Sequence, residues 1–81
     1  MLKISVISPE ATLFEGEAPS LVAPAFDGEV GILPSHAPMV TTLGKGVLTI
    51  GDGAQRFSVE GGFLQVVDNV VRVVTEKAAK L

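Results

Sequence analysis

Hydrophobic and polar positions alternate from the first residues of the chain. Leu2, Ile4 and Val6 are separated by Lys3 and Ser5, the period of a strand with one buried face. Pro9 ends that run, and Ala11 to Glu17 supplies a second short strand with Leu13 and Phe14 as its apolar residues. Pro19 and Pro24 bracket a third, Ser20 to Ala23. Further on, Val47–Ile50 and Arg56–Glu60 flank Gly51-Asp52-Gly53, a reversal suited to a hairpin because Gly and Asp tolerate positive φ. On the return strand Phe57 and Val59 face one way, and Arg56, Ser58 and Glu60 the other. A second hairpin pairs Phe63–Val67 with Val70–Thr75 through Asp68-Asn69, where Asn accepts the left-handed conformation of the turn.

Two stretches break the simple alternation. Phe63-Leu64, Val66-Val67 and the run Val70-Val71-Arg72-Val73-Val74 place apolar residues on both faces of a strand. Such a strand is either central and covered on its outer face by the C-terminal turn, or it faces a partner. Glu76 to Leu81 consists of good helix formers behind a possible Thr75 cap. The expectation there is the opening turn of a helix, too short to be stable alone. The domain division is thus a β-rich unit over 1–75 and a helical start over 76–81. Short strands at close spacing point to an all-β sandwich or barrel.

Composition narrows the function. The 81 residues carry 9 Gly, 5 Pro and no Cys, so one small domain without disulfides or thiolate metal sites must hold itself together by packing or with a partner's help. A net charge of -3, with neither Trp nor Tyr, argues against binding a phosphate backbone or stacking on bases. No apolar run is long enough to span a bilayer and no secretory signal is visible at Met1-Leu2-Lys3-Ile4-Ser5; a soluble, cytosol-facing protein is the expectation.

Candidate chemistry is sparse. The one histidine, His36, adjoins Ser35, and neighbours on an extended segment point to opposite sides, so they do not form a nucleophile–base pair. Asp27, Glu29 and His36 match no metal-ligand spacing, and solvated loop charges account for them. Gly44-Lys45-Gly46 lacks the form of a phosphate-binding loop. Lys45 leaves one alternative, a carrier domain of the lipoyl or biotinyl kind with its lysine on a hairpin turn, although the two flanking glycines are not the usual neighbours of such a lysine. No catalytic, metal or cofactor residue is assigned. The distinctive segment is Asp27 to Pro38, DGEVGILPSHAP. Its glycines allow unusual backbone geometry or close approach, and Pro34 and Pro38 bias Leu33 and Ala37 toward extended conformations. A stiff irregular loop that presents Ile32, Leu33, His36 and Met39 is expected, either as a docking surface that loses little entropy on contact or as a plain crossover capping the core.

At this segment the chain resembles the epsilon subunit of rotary ATP synthases, called delta in mitochondria. The resemblance rests on Ser8-Pro9-Glu10 with Leu13-Phe14-Glu15-Gly16, on Asp27-Gly28-Glu29 leading through Gly31-Ile32-Leu33-Pro34 to His36-Ala37-Pro38, on Leu43 and Gly46 to Ile50, and on Gly61 to Val66 with Asn69 to Val74. It implies a flattened β-sandwich of about ten short strands. It further implies a non-catalytic rotor subunit of the central stalk in a proton- or sodium-driven synthase. Such a subunit joins the membrane ring to the gamma subunit and works as a peripheral component at the cytoplasmic face of the membrane, or the stromal or matrix side in an organelle. Ring-facing positions carry over to Glu29, Gly31, Ile32 and His36, and gamma-facing positions to Ser8, Val40, Thr41 and Leu43. Members of the family usually continue into a helical hairpin that restrains hydrolysis and in some cases binds ATP. With Leu81 at the start of that arm, neither arm-mediated inhibition nor nucleotide binding is expected.

Overall fold

A computed structural model describes residues 1–81. Eight strands follow in chain order: β1 (Leu2–Ile7), β2 (Thr12–Ala18), β3 (Leu21–Ala25), β4 (Gly28–Ile32), β5 (Met39–Thr42), β6 (Lys45–Ile50), β7 (Gln55–Val67) and β8 (Val70–Lys80). Hydrogen bonding runs β2-β1-β8-β7-β6-β3-β4, with β5 added to β7. All neighbours are antiparallel except β1, which lies parallel to β8 with Ile4 opposite Val71 and Val6 opposite Val73.

This single hydrogen-bonded path makes two layers because β7 and β8 belong to both. β7 is 13 residues long and β8 is 11, and they pair from Phe57–Lys80 to Val67–Val70. Halfway along, Gly61 and Gly62 adopt φ of 74° and 103°, opposite Thr75 and Glu76. The inward positions change parity there. Phe57 and Val59 are buried before the corner and Leu64 and Val66 after it; on β8 the inward set passes from Val71, Val73 and Thr75 to the half-buried Ala78. The corner folds β2, β1, β5 and the adjoining halves of β7 and β8 over β6, β3, β4 and the other halves. The enclosed core of 16 apolar residues includes Leu2, Ile4, Leu21, Ile32, Leu48, Phe57 and Leu64. Phe14 of β2 meets Phe57 of β7 edge-on, with centroids 6.5 Å apart, so an aromatic contact bridges the layers.

The sandwich and both hairpins agree with the expectations from the sequence, but three details differ. There are eight strands rather than about ten, since residues 55–60 and 63–67 form one continuous strand. Part of the expected irregular loop is strand β4, whose Val30 and Ile32 turn inward while Glu29 and Gly31 stay exposed. Residues 76–81 are not a helical turn: β8 continues to Lys80, and the Leu81 amide donates to the Arg56 carbonyl at 2.9 Å. A helix this short is marginal, whereas the edge of β7 at Phe57–Glu60 offers the same residues a complete backbone ladder.

A Cβ on Gly62 would overlap the Val74 carbonyl oxygen and approach Thr75 Cα to 2.7 Å. Gly62→Ala is therefore expected to cost at least about 3 kcal/mol or to prevent folding. Gly31 has an ordinary φ, and an added Cβ there meets nothing within 4 Å, so Gly31→Ala should stay within about 0.5 kcal/mol of the parent. Chemical denaturation of both variants checks the contrast. In the same assay Val71→Ala or Val73→Ala, each at a fully buried position, should lose about 1–3 kcal/mol.

Candidate partner-docking surfaces

The structure assembles no reactive constellation. His36 is half-buried, and its Nδ1 donates to the Ala37 carbonyl oxygen at 2.7 Å. Because that oxygen can only accept, Nδ1 is the donor in this contact. Asp27 lies in the β3–β4 turn and Glu29 near the start of β4, whereas His36 lies beyond the opposite end of β4, and no three metal-ligating side chains come together. Lys45 is exposed, but it opens β6 opposite Glu60 instead of capping a hairpin; the hairpin tip is at Gly51–Ala54. A carrier domain needs its lysine to project from such a tip into a partner's active site, so the carrier alternative loses its structural basis.

Two surfaces stand out. The first is the outer face of the layer containing β1, β8, β7 and β5. Cross-strand register aligns Thr42, Phe63, Val74 and Ile7 in one row, Val40, Gln65, Arg72 and Ser5 in the next, and Val67, Val70 and Lys3 in a third. Val40 is 68% exposed, Val70 48%, Phe63 40% and Val67 39%. Phe63, Val67 and Val70 are doubled apolar positions of the sequence. The covering C-terminal turn that would have hidden them does not exist, because that segment runs as strand in the other layer. A cluster of large apolar side chains left in water on one sheet face is a mark of an interaction surface.

The second surface is β4 with the loop that follows. β4 ends the hydrogen-bonded path and pairs only with β3, so its other backbone edge is open. Glu29 and Gly31 occupy its exposed face. Beyond Ile32, Leu33-Pro34-Ser35-His36 reverses direction, with the His36 amide donating to the Leu33 carbonyl at 3.2 Å and Ser35 at φ 69°. The turn presents Leu33 to solvent.

Several expected site residues are placed differently. The Ile32 side chain has no exposed surface, because its inward position on β4 makes it core; it anchors the loop and does not face a partner. Leu43 is likewise core, bridged to Ala25. Thr41 is half-buried and shares the inward side with Leu64, its cross-strand neighbour. Of the four gamma-facing candidates only Val40 lies on the apolar face; Ser8 sits where β1 turns toward β2, its amide donating to Ala11 O at 2.8 Å. Phe63, Val67 and Val70 carry the face, and the only sequence signal for them is their place as doubled apolar positions, outside the motifs that supply the candidate site residues. Phe26, at 71% exposure in the β3–β4 turn, has no such signal: a Phe next to Asp-Gly reads equally as core.

Comparison with known proteins places this arrangement. Residues 1–81 match the family model described as ATP synthase, Delta/Epsilon chain, beta-sandwich domain. The ATP synthase epsilon chain of Leptospira borgpetersenii serovar Hardjo-bovis is 54% identical over 80 residues, which cover 96% of this chain and 63% of that one. The chain thus spans less than two thirds of the length of that relative. The epsilon chain of Caulobacter vibrioides is 38% identical over 81 residues, 98% of this chain and 94% of that one. A chain in the cryo-EM structure of the Euglena gracilis mitochondrial ATP synthase (OSCP/F1/c-ring, rotational state 1) superposes with a TM-score of 0.88 at 24% identity, covering 98% of this chain and 52% of that one. The fold, its corner and its match from the first residue to the last establish that the chain belongs to the ATP synthase delta/epsilon-chain family, through that family's β-sandwich domain.

Proposed function

We propose that this chain is a non-catalytic rotor subunit of the central stalk of a proton- or sodium-driven ATP synthase. In this reading it docks the gamma subunit on the apolar face of Val40, Phe63, Val67 and Val70, and it meets the membrane ring through Glu29, Gly31 and the Leu33–Pro38 loop. The observation that carries the reading is the uncovered apolar face itself. It occupies one layer of a sandwich whose opposite layer is mixed, with Lys45, Arg56 and Glu60 exposed on it. Burying these side chains against a partner would contribute on the order of 1 kcal/mol or more each.

The work of such a subunit is mechanical, and the fold suits it. A core with fully buried Leu2, Leu21, Leu48, Leu64 and Val71 deforms little under load, because close-packed interiors have low compressibility. Torque applied at one surface therefore reaches the other through one rigid body. Glu29 is solvated and suits hydrogen-bonded contact with polar loops, which keeps its charge hydrated. At Gly31 neither the backbone conformation nor a neighbouring atom requires glycine, and close approach of a partner backbone supplies a reason for it. Ile32, Thr41 and Leu43 support these surfaces from within, and Ser8 lies at the end of the gamma-facing layer. No helix of the chain is long and apolar enough to cross a membrane, and the proposed setting is peripheral, at the cytoplasmic face or its organellar equivalent.

Titration of purified gamma subunit against the chain tests the first surface. Val40→Asp or Val67→Asp should weaken binding at least about tenfold. Val47→Asp, on the outer face of the other layer, should leave it unchanged; equal affinity for all three would remove the apolar face as the docking site. For the second surface, Glu29→Lys and His36→Asp should lower ATP-driven ion pumping per ATP hydrolysed in the assembled synthase while the chain still melts cooperatively. Unaltered pumping efficiency would refute a ring contact there.

A further inference from the structure

The Leu33–Pro38 loop is stiffened by its prolines, but stiffness alone does not set its position. Within the loop, the His36 amide returns to Leu33 O. The one hydrogen bond that fastens it to another element runs from the Ser35 amide to Asn69 Oδ1, at 2.6 Å. Ser35 needs such a tie. With Pro34 before it and φ 69°, it occupies the third position of a type II pattern, where Gly or Asn is usual, and a left-handed conformation costs a serine on the order of 1 kcal/mol.

Asn69 is itself held in place. Asp68 and Asn69, at φ 50° and 64°, form the two-residue turn between β7 and β8. The Asn69 carbonyl accepts from the Lys3 amide at 2.8 Å, so its main chain is locked to β1 while its side chain reaches the loop. Three segments therefore meet at one residue: the first strand, the turn that joins Val67 to Val70 on the apolar face, and the loop bearing Leu33 and His36.

We propose that Asn69 is a positioning residue that sets the Leu33–Pro38 loop in fixed register with the apolar face. The proposal rests on the reading of that loop as a ring contact for its consequence in the synthase. In this role Asn69 acts through the Ser35 amide. Two substitutions separate this role from that of a turn former. Asn69→Gly keeps the left-handed turn, for which Gly is well suited, and removes only the acceptor. Asn69→Asp keeps both the turn and an acceptor oxygen.

Amide hydrogen exchange of the full chain, followed by NMR, supplies the direct readout. In Asn69→Gly the Ser35 amide should exchange about fivefold faster, the factor expected for one lost hydrogen bond, while the Val71 and Val73 amides keep their protection. Asn69→Asp should restore the parent rate at Ser35. Unchanged exchange at Ser35 in Asn69→Gly, or equal acceleration at Val71 and Val73, would overturn the positioning role. In the assembled synthase the ratio of ions pumped to ATP hydrolysed should fall with Asn69→Gly and recover with Asn69→Asp. If Ser35 is loosened and pumping stays at the parent ratio, the positioning role stands and the ring-contact reading fails.

Discussion

The turn of β7 and β8 through Gly61-Gly62 and Thr75 decides the rest of the molecule. Two strands that stay hydrogen-bonded along their whole length can serve two layers only if both bend at one place, and the bend brings the backbone of Gly62 against that of Val74 and Thr75 closer than any side chain allows. The corner also has to satisfy its polar groups. Thr75 is almost fully buried, and its hydroxyl donates to Lys77 O at 2.8 Å; the Gly62 carbonyl accepts from the Leu43 amide at 2.9 Å. The second bond ties the connection between β5 and β6 to the same point, so the corner also fixes where β5 leaves one layer and β6 enters the other.

From that geometry the two proposed docking surfaces follow. Because the corner reverses the inward parity, Phe63, Val67, Val70 and Val74 face out from one layer while Leu64, Val66, Val71 and Val73 fill the core. Because β8 runs on past the corner into the second layer, residues 76–80 do not cover the apolar face. β4, the last strand of the path, is left with an open edge, and the loop after it reaches back across the sandwich toward the β7–β8 turn. The rotor role proposed for this chain would require force to be received at one place and delivered at another without yielding, and one packed core carries both proposed surfaces. The Asn69 carboxamide extends that rigidity into a segment that would otherwise be joined to the core only through its ends.

Legibility in the sequence varied with the physical origin of each element. The alternation of Leu2, Ile4 and Val6, and that of Phe57 and Val59 against Arg56, Ser58 and Glu60, is local and needs only period two to be read. The Asp-Gly and Asp-Asn turns are local as well. β4 is hidden because Gly28 and Gly31, with Pro34 and Pro38 after them, read as a stiff irregular loop, and only pairing with β3 makes Gly28–Ile32 extended. The helical expectation for 76–81 failed for a related reason: propensity favours a helix by tenths of a kcal/mol per residue, and a vacant ladder on β7 outweighs it. Ile32 and Leu43 look like good contact residues from their place beside a distinctive motif. Their burial depends on which face the strand turns inward, and a motif does not carry that information.

The sequence by itself determined the all-β character, the two hairpins and the family, because strand period, turn chemistry and the Gly-Ile-Leu-Pro-x-His-Ala-Pro string are properties of neighbouring residues. The tertiary structure alone decided that residues 76–81 leave the doubled valines exposed, that Gly62 is a corner and not a loop residue, and that Asn69, legible in the chain only as a turn former, grips a loop 34 positions away. Each of these depends on a contact between segments distant in sequence. Whether such a contact forms is settled by how the two layers close on their common core, which no local pattern specifies.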